Sequence, residues 1–142
     1  MRKSQINKKV SVIVVNYNNA KYLNRCLNSL HYQTNKNFEI IFVDDSSTDN
    51  SIHIAKKFFS KKNIKKFKLL INKKKTKFGS YNQINCIMAA LKFCKGEIIS
   101  FIDSDDFFKK TKIQEVINFF RKNKKTNITF DLSYEYYNKK KK

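Results

Sequence analysis

The 142-residue sequence predicts an α/β fold: a mostly parallel sheet of about five strands with helices on both faces. Three observations lead there. Short β-branched or aromatic apolar runs recur along the chain, and the clearest end in acid-rich polar turns. Between them lie segments whose apolar residues repeat at helical spacing. The two kinds of segment alternate without an internal repeat or a Pro/Gly/Ser-rich linker, as expected for βα units joined by right-handed crossovers in one domain.

Taken in order, residues 1–9 form a polar lead-in, and residues 10–137 are expected to form the domain. Val10–Val15 is β-branched and nearly continuous, the pattern of a buried parallel strand. Leu23, Cys26, Leu27 and Leu30 then mark one face of a first helix. Phe38–Val43 reads as a second buried strand, closed by Asp44-Asp45-Ser46-Ser47-Thr48-Asp49. Ile52, Ala55, Phe58 and Phe59 suggest a second helix, and Phe67–Ile71 a short third strand. After a lysine-rich loop, Asn72–Phe78, the spacing of Ile84, Ile87, Met88 and Leu91 predicts a third helix packed through those residues, with Gly96 as its stop. Glu97–Ile102 is the fourth strand and runs into Asp103-Ser104-Asp105-Asp106. Ile113, Val116, Ile117 and Phe120 set a fourth helix. A last strand is expected near Ile128–Tyr137, followed by a Lys-rich tail over residues 138–142.

A chain of this length buries roughly 68–70% of its unfolded surface, and 41% apolar with 14% aromatic residues argues against disorder. The formal charge of +20 is almost all lysine, with arginine only at Arg2, Arg25 and Arg121. Lys, Asn, Ile and Phe are abundant, Gly is scarce, and Pro and Trp are absent. That is the composition an AT-rich genome writes, which accounts for most of the lysines without a nucleic-acid partner. Bidentate phosphate recognition would also favour arginine. Cys26, Cys86 and Cys94 form no CxxC and read as reduced core thiols. No stretch matches a signal peptide or a membrane span. The protein is expected to be cytoplasmic, with peripheral contact at the inner membrane face through lysines left open.

The chemistry concentrates in the acids. Asp44, Asp45, Asp49, Asp103, Asp105 and Asp106 are six of the eleven acidic residues. No Lys or Arg falls between Lys36 and Lys56 or between Lys95 and Lys109. In a parallel sheet both clusters lie beyond the carboxyl ends of the strands, where α/β proteins bind ligands. Three carboxylates in four residues repel one another, and a hard cation offsets that cost. Such a cation takes one or two carboxylates and fills its other positions with water and phosphate oxygens. Asp49 also suits helix capping, and Asp106 suits a following helix N-terminus. Tyr17 and Asn18, after the first strand, share the same predicted edge, as do Lys73, Lys74, Lys75 and Lys77 after the third. His31 and His53 have no nucleophile–base constellation around them.

The motifs VSVIVVNYN at Val10–Asn18, FEIIFVDDSSTD at Phe38–Asp49 and KGEIISFIDSDD at Lys95–Asp106 together resemble the family 2 glycosyltransferases, of Rossmann-like GT-A fold. The resemblance implies an inverting transfer from a nucleotide-diphospho-sugar, often a UDP-sugar, with a divalent cation (Mn²⁺ or Mg²⁺). Carried over by position, Asp45 looks like the nucleobase contact, and the turn with Val15, Tyr17 and Asn18 looks like part of the donor pocket. Asp44 and Ser104 are expected among the donor-binding residues with them. Asp103 and Asp105 look like the family's DxD pair and metal site. Asp105 is the preferred ligand, with Asp103 facing ribose or a metal-bound water. Two departures stand out. The family's arginine early in the third helix is replaced here by Cys86-Ile87-Met88, with a loop lysine, Asn82 or Asn85 as substitutes. The resemblance covers a donor-binding portion, truncated relative to the family, and neither Asp131 nor Glu135 matches the family's catalytic base.

The function expected from the sequence is therefore glycosyl transfer to an unknown glycan, lipid or protein acceptor. Two alternatives remain: an inactive or partner-dependent donor-binding fragment, and a basic module for nucleic acid or a membrane surface. Nucleic acid is disfavoured, because the lysines are spread over several elements. Sugar nucleotidylyltransferases are excluded by the absence of a glycine-rich N-terminal loop, since the only glycines are Gly79 and Gly96.

Overall fold

β-branched and aromatic side chains dominate the runs that become strands, and the computed structural model, which describes residues 9–73 and 76–129, places the first four predicted strands and the four predicted helices in the expected order. The elements are β1 (Val10–Asn16), α1 (Ala20–His31), β2 (Phe38–Asp44), α2 (Ser51–Lys61), β3 (Phe67–Ile71), α3 (Gly79–Leu91), β4 (Ile98–Asp103) and α4 (Lys112–Lys122). Among the described residues the sheet has four strands in the order β3-β2-β1-β4, and every pairing is parallel. Of the last strand expected near Ile128–Tyr137, Ile128 and Thr129 are not in a strand, and the remainder lies outside the described residues, as do residues 1–8 and 138–142.

The register brings the acid-rich strand ends together. Asn16 lies opposite Asp44, and Val15 opposite Asp103, so β1 carries the ends of β2 and β4 on either side of its own. Both acidic clusters thus share one sheet edge, as the parallel reading required.

The two faces of the sheet are covered unequally. The larger core packs α1, α2 and α4 onto one face through Leu23, Leu27, Phe59, Ile113 and Ile117 against Val12, Val14 and Phe42. Among the described residues the other face carries α3 alone, through Cys86 and Ala90 against Ile13, Ile41 and Val43. Here the structure corrects the amphipathic reading. α3 buries Asn82, Cys86 and Ala90, whereas Ile84, Met88 and Leu91 are exposed and Ile87 is half-buried. The side chains that α3 seats on the sheet, Cys86 and Ala90, are small, and the large apolar stripe turns outward. Phe101 of β4, on the same sheet face, is 54% exposed.

Gly96 also has a different role from the one expected. α3 ends at Leu91 with Lys92 as its cap, and no glycine has positive φ. A Cβ on Gly96 would stand 2.5 Å from the Ser11 amide nitrogen and 2.8 Å from the Lys9 carbonyl oxygen. The glycine is needed for this close approach of the α3–β4 connection to β1. The approach is completed by the Gly96 amide donating to Ser11 Oγ at 2.8 Å and the Lys95 amide donating to Glu39 Oε1 at 2.7 Å.

Candidate functional site

The carboxyl edge of β1, β2 and β4 and the start of α3 enclose a cavity of about 420 Å³. Val15, Tyr17, Asp45, Asp103 and Asp105 line it, so five residues singled out from the sequence converge on one space. Asn19, Thr76, Lys77, Gly79, Asn82 and Gln83 complete the wall.

Asp45 is only 6% exposed. Its amide donates to the Asn16 carbonyl at 2.8 Å, and its Oδ1 accepts from Asn72 Nδ2 at 2.8 Å. One carboxylate oxygen is thereby fixed against the protein at the cavity wall. Cys86 lies close by, and burial together with the Asp45 charge pushes its thiol up to about 11. It is a core thiol at neutral pH, as expected.

Asp103 and Asp105 face the cavity from the end of β4. Burial, then the charges of Asp105 and Asp106, push the Asp103 carboxyl above the usual carboxylate range. Gln83 Nε2 donates to Asp103 Oδ1 at 3.2 Å and partly offsets that rise. The loop is tied down from outside. Arg25 Nη2 donates to the Asp105 carbonyl at 3.0 Å, and its guanidinium lies 4.5 Å from the centre of the Phe107 ring. Asp106 makes a turn, its amide donating to the Asp103 carbonyl, and α4 begins only at Lys112. Its expected place at a helix N-terminus is thus not what the structure has.

Three other sequence candidates stand behind the wall. Asp44 is fully buried. It accepts from Asn16 Nδ2, the Ser47 amide and the Ser47 hydroxyl, each at 2.7 Å. This lock joins the ends of β1 and β2 and leaves Asp44 facing protein rather than the cavity. Asn18 adopts φ of 51°, and its Oδ1 accepts from the Thr48 amide at 2.8 Å. It shapes the turn that presents Tyr17, a left-handed position that asparagine tolerates. Ser104 is fully buried and accepts from Asn19 Nδ2 at 2.9 Å, holding the β4 loop to the start of α1.

Asp49 also works through the scaffold. Its Oδ2 accepts from the Ala20 amide at 2.8 Å and its Oδ1 from the Ser51 amide at 3.0 Å, so one carboxylate serves the first turns of both α1 and α2. Burial would raise its carboxyl, but hydrogen bonds from Ser51 and the Ala20 amide outweigh that and hold it low.

Sequence reasoning missed Gln83 and set Asn82 and Asn85 as substitutes for the absent arginine. Asn82 is in the wall, but as a clamp. Its Oδ1 accepts from the Thr76 amide at 2.8 Å and hydroxyl at 2.9 Å, and its Nδ2 donates to the Thr76 carbonyl at 3.2 Å. Gln83 reaches Asp103 instead, and among the described loop lysines Lys77 lines the cavity. The available signal was position: the first turn of a helix following a parallel strand faces the strand ends.

Among the described residues, no group of three or more His, Cys, Asp or Glu side chains is placed to hold a metal by itself. The fit is that of a shared site. Two hard-oxygen carboxylates, Asp103 and Asp105, face a cavity broad enough for further oxygen donors from a ligand or water.

The model of glycosyl transferase family 2 matches residues 11–141. The chain is 35% identical over 113 residues to an uncharacterized glycosyltransferase of Nostoc, alr2836, covering 80% of this chain. It is 36% identical over 113 residues to the poly(ribitol-phosphate) beta-N-acetylglucosaminyltransferase TarS of Staphylococcus aureus, covering 78% of this chain. The crystal structure of TarS 1–349 with UDP matches with a TM-score of 0.69 and 32% identity over 82% of this chain and 33% of that one. A UDP-GlcNAc complex of the same TarS segment gives 0.67. The chain is 39% identical over 110 residues, 78% of its length, to WfaP of Escherichia coli, a UDP-Glc:alpha-D-GlcNAc-diphosphoundecaprenol beta-1,3-glucosyltransferase. It spans between 18% and 40% of the length of these curated relatives.

Proposed function

The chain belongs to glycosyl transferase family 2, and from that premise we propose that it binds a UDP-sugar with a divalent cation and serves inverting transfer of the sugar to an acceptor hydroxyl. The observation that carries the reading is the convergence of Asp45, Asp103 and Asp105 on one cavity with Tyr17, Lys77 and Gln83. TarS is solved with UDP and with UDP-GlcNAc, and the name of WfaP includes a UDP-glucose donor, which supports uridine as the base.

In this reading Asp45 accepts from the base N–H through the oxygen not held by Asn72, and Tyr17 packs beside the base or ribose. Asp103 and Asp105 would hold Mn²⁺ or Mg²⁺ through their carboxylate oxygens, with room in the cavity for further oxygen donors. When bound, the cation neutralises charge that develops on the departing diphosphate. Lys77, which also lines the cavity, adds a second positive charge. Gln83 keeps Asp103 oriented without a charge of its own. Transfer breaks the bond between the sugar C1 and the diphosphate oxygen while the acceptor oxygen bonds C1 from the opposite face and its hydroxyl proton passes to a general base, a role assigned to none of the residues named above; the anomeric centre is inverted. The acceptor is a glycan, lipid or protein hydroxyl.

Titration calorimetry with UDP, with and without Mn²⁺, tests the core of the proposal. The natural chain is expected to bind UDP more tightly with Mn²⁺, and Asp103→Ala/Asp105→Ala to lose that metal-dependent gain. Equal metal-dependent binding by both proteins would remove the metal role. Turnover assays with UDP-sugars then separate transfer from donor binding without chemistry.

A further inference from the structure

A groove of about 360 Å³ lies at the sheet edge opposite the candidate site, between the C-terminal ends of α1 and α2 and the starts of β2 and β3. We propose that this groove docks the protein on a membrane surface by taking an anionic phospholipid headgroup. Its floor is apolar: Leu30 is fully buried, and Ile40 and Phe38 are 2% and 9% exposed. Its rim carries Lys36, Lys62, Lys65 and Lys66, and its lining includes no carboxylate.

The bland account of such lysines is that cations favour helix C-termini. It covers Lys62, at the cap of α2, and Lys36, whose ammonium donates to the His31 carbonyl at the end of α1. It does not cover Lys65 and Lys66, which lie beyond α2 on the way into β3. Among the described residues no carboxylate forms an ion pair with a rim lysine; Glu39 and Glu115 pair with Lys9 and Lys109 instead. Burial, then Lys62 and Lys36, lower the pKa of His31, as expected beside uncompensated positive charge.

Four lysines gathered around one groove are complementary to the phosphate of an anionic headgroup, and their aliphatic stems suit the interface around it. A nucleic acid would need a longer basic track with arginine or stacking platforms, and what favours a membrane over a free phosphate is the pair of exposed aromatics beside the lysines. Tyr32, 54% exposed under the Lys62 ammonium, and Phe67, 38% exposed next to Lys66, add amphipathic aromatics beside the rim. Aromatics and lysines together suit the headgroup level of a bilayer. The inference is independent of the donor reading, and its test needs no nucleotide.

The test is co-sedimentation of the full chain with vesicles of phosphatidylglycerol and phosphatidylcholine, against phosphatidylcholine alone. Binding is expected only with the anionic lipid. Lys36→Gln/Lys62→Gln/Lys65→Gln/Lys66→Gln is expected to lower partitioning by about tenfold or more. Lys21→Gln/Lys110→Gln/Lys122→Gln/Lys125→Gln, with the same net charge, is expected to keep most of it. Equal loss in the two variants would mean general charge attraction and overturn the site, as would absence of binding to anionic vesicles. A second readout guards against misfolding of the variants. In the natural chain, the NMR titration of His31 should move to higher pH with phosphatidylglycerol bicelles and much less with inorganic phosphate. An equal shift with phosphate alone would reassign the groove to a soluble anion and overturn the membrane assignment.

Discussion

Asp44 and Asp45 are adjacent in sequence and differ in kind. Asp44 satisfies three donors inside the protein, and Asp45 presents carboxylate to the cavity. Asp44→Ala strands those buried donors and should cost about 2 kcal/mol or more of stability. Asp45→Ala should lower UDP affinity with a smaller change in the denaturation midpoint. Measuring both properties for both variants separates the roles, and the reverse pattern would refute them. Gln83→Ala removes the neutral partner of Asp103 and should weaken metal-dependent UDP binding by about 0.5–1.5 kcal/mol, read by calorimetry, with little change in stability. The acids themselves were legible in the sequence, because a lysine-rich chain that keeps lysine away from two loops marks those loops. The division between Asp44 and Asp45 was not, since it depends on register: only the pairing of Asn16 with Asp44 decides which carboxylate turns inward.

Among the elements, β1, β2 and β4 and the faces of α1, α2 and α4 follow their sequence patterns closely, because each packs large side chains into the main core. α3 does not. Its helical period is real, but the face seated on the sheet is the one with Asn82, Cys86 and Ala90. Periodicity reports that a stripe exists and is silent about which partner meets it. Met88→Lys should therefore change the stability of this chain by no more than about 0.5 kcal/mol, whereas a core methionine would cost about 2–5 kcal/mol on truncation. Chemical denaturation decides between the two. A loss in the larger range would show that the outward stripe is covered in solution. Gly96 teaches the same lesson. A glycine after a helical stretch suggests a stop, yet here backbone proximity to Lys9 and Ser11 is what excludes a side chain.

Across the whole molecule, charge is laid out in opposition. Acids gather at the carboxyl edge, and lysines rim the groove at the other. Glu39 is the exception that braces the lysine-bearing edge. Burial would raise its carboxyl, but the Lys9 ammonium at 2.7 Å, the Ser11 hydroxyl at 2.7 Å and the Lys95 amide together hold it below its ordinary value. A lowered folded pKa stabilises the fold above the ordinary glutamate range, about 4.3, and that contribution is lost as pH falls through the folded value. Glu39→Gln should cost about 1–2 kcal/mol at pH 7, and its gap from the natural chain should close in acid. A gap that is constant from pH 7 to pH 3 would contradict this. The cavity itself combines two materials. One wall is the end of the sheet, its geometry set by the buried Asp44 lock and inherited from the core. The other is α3 and the Thr76 clamp, attached through a few polar bonds to a lightly packed helix. Substitutions on the first wall alter the fold along with the pocket. On the second, the buried Asn82 holds the loop, but exposed Gln83 can be exchanged at little cost to the fold, so pocket chemistry can vary at such a position while the sheet stays as it is.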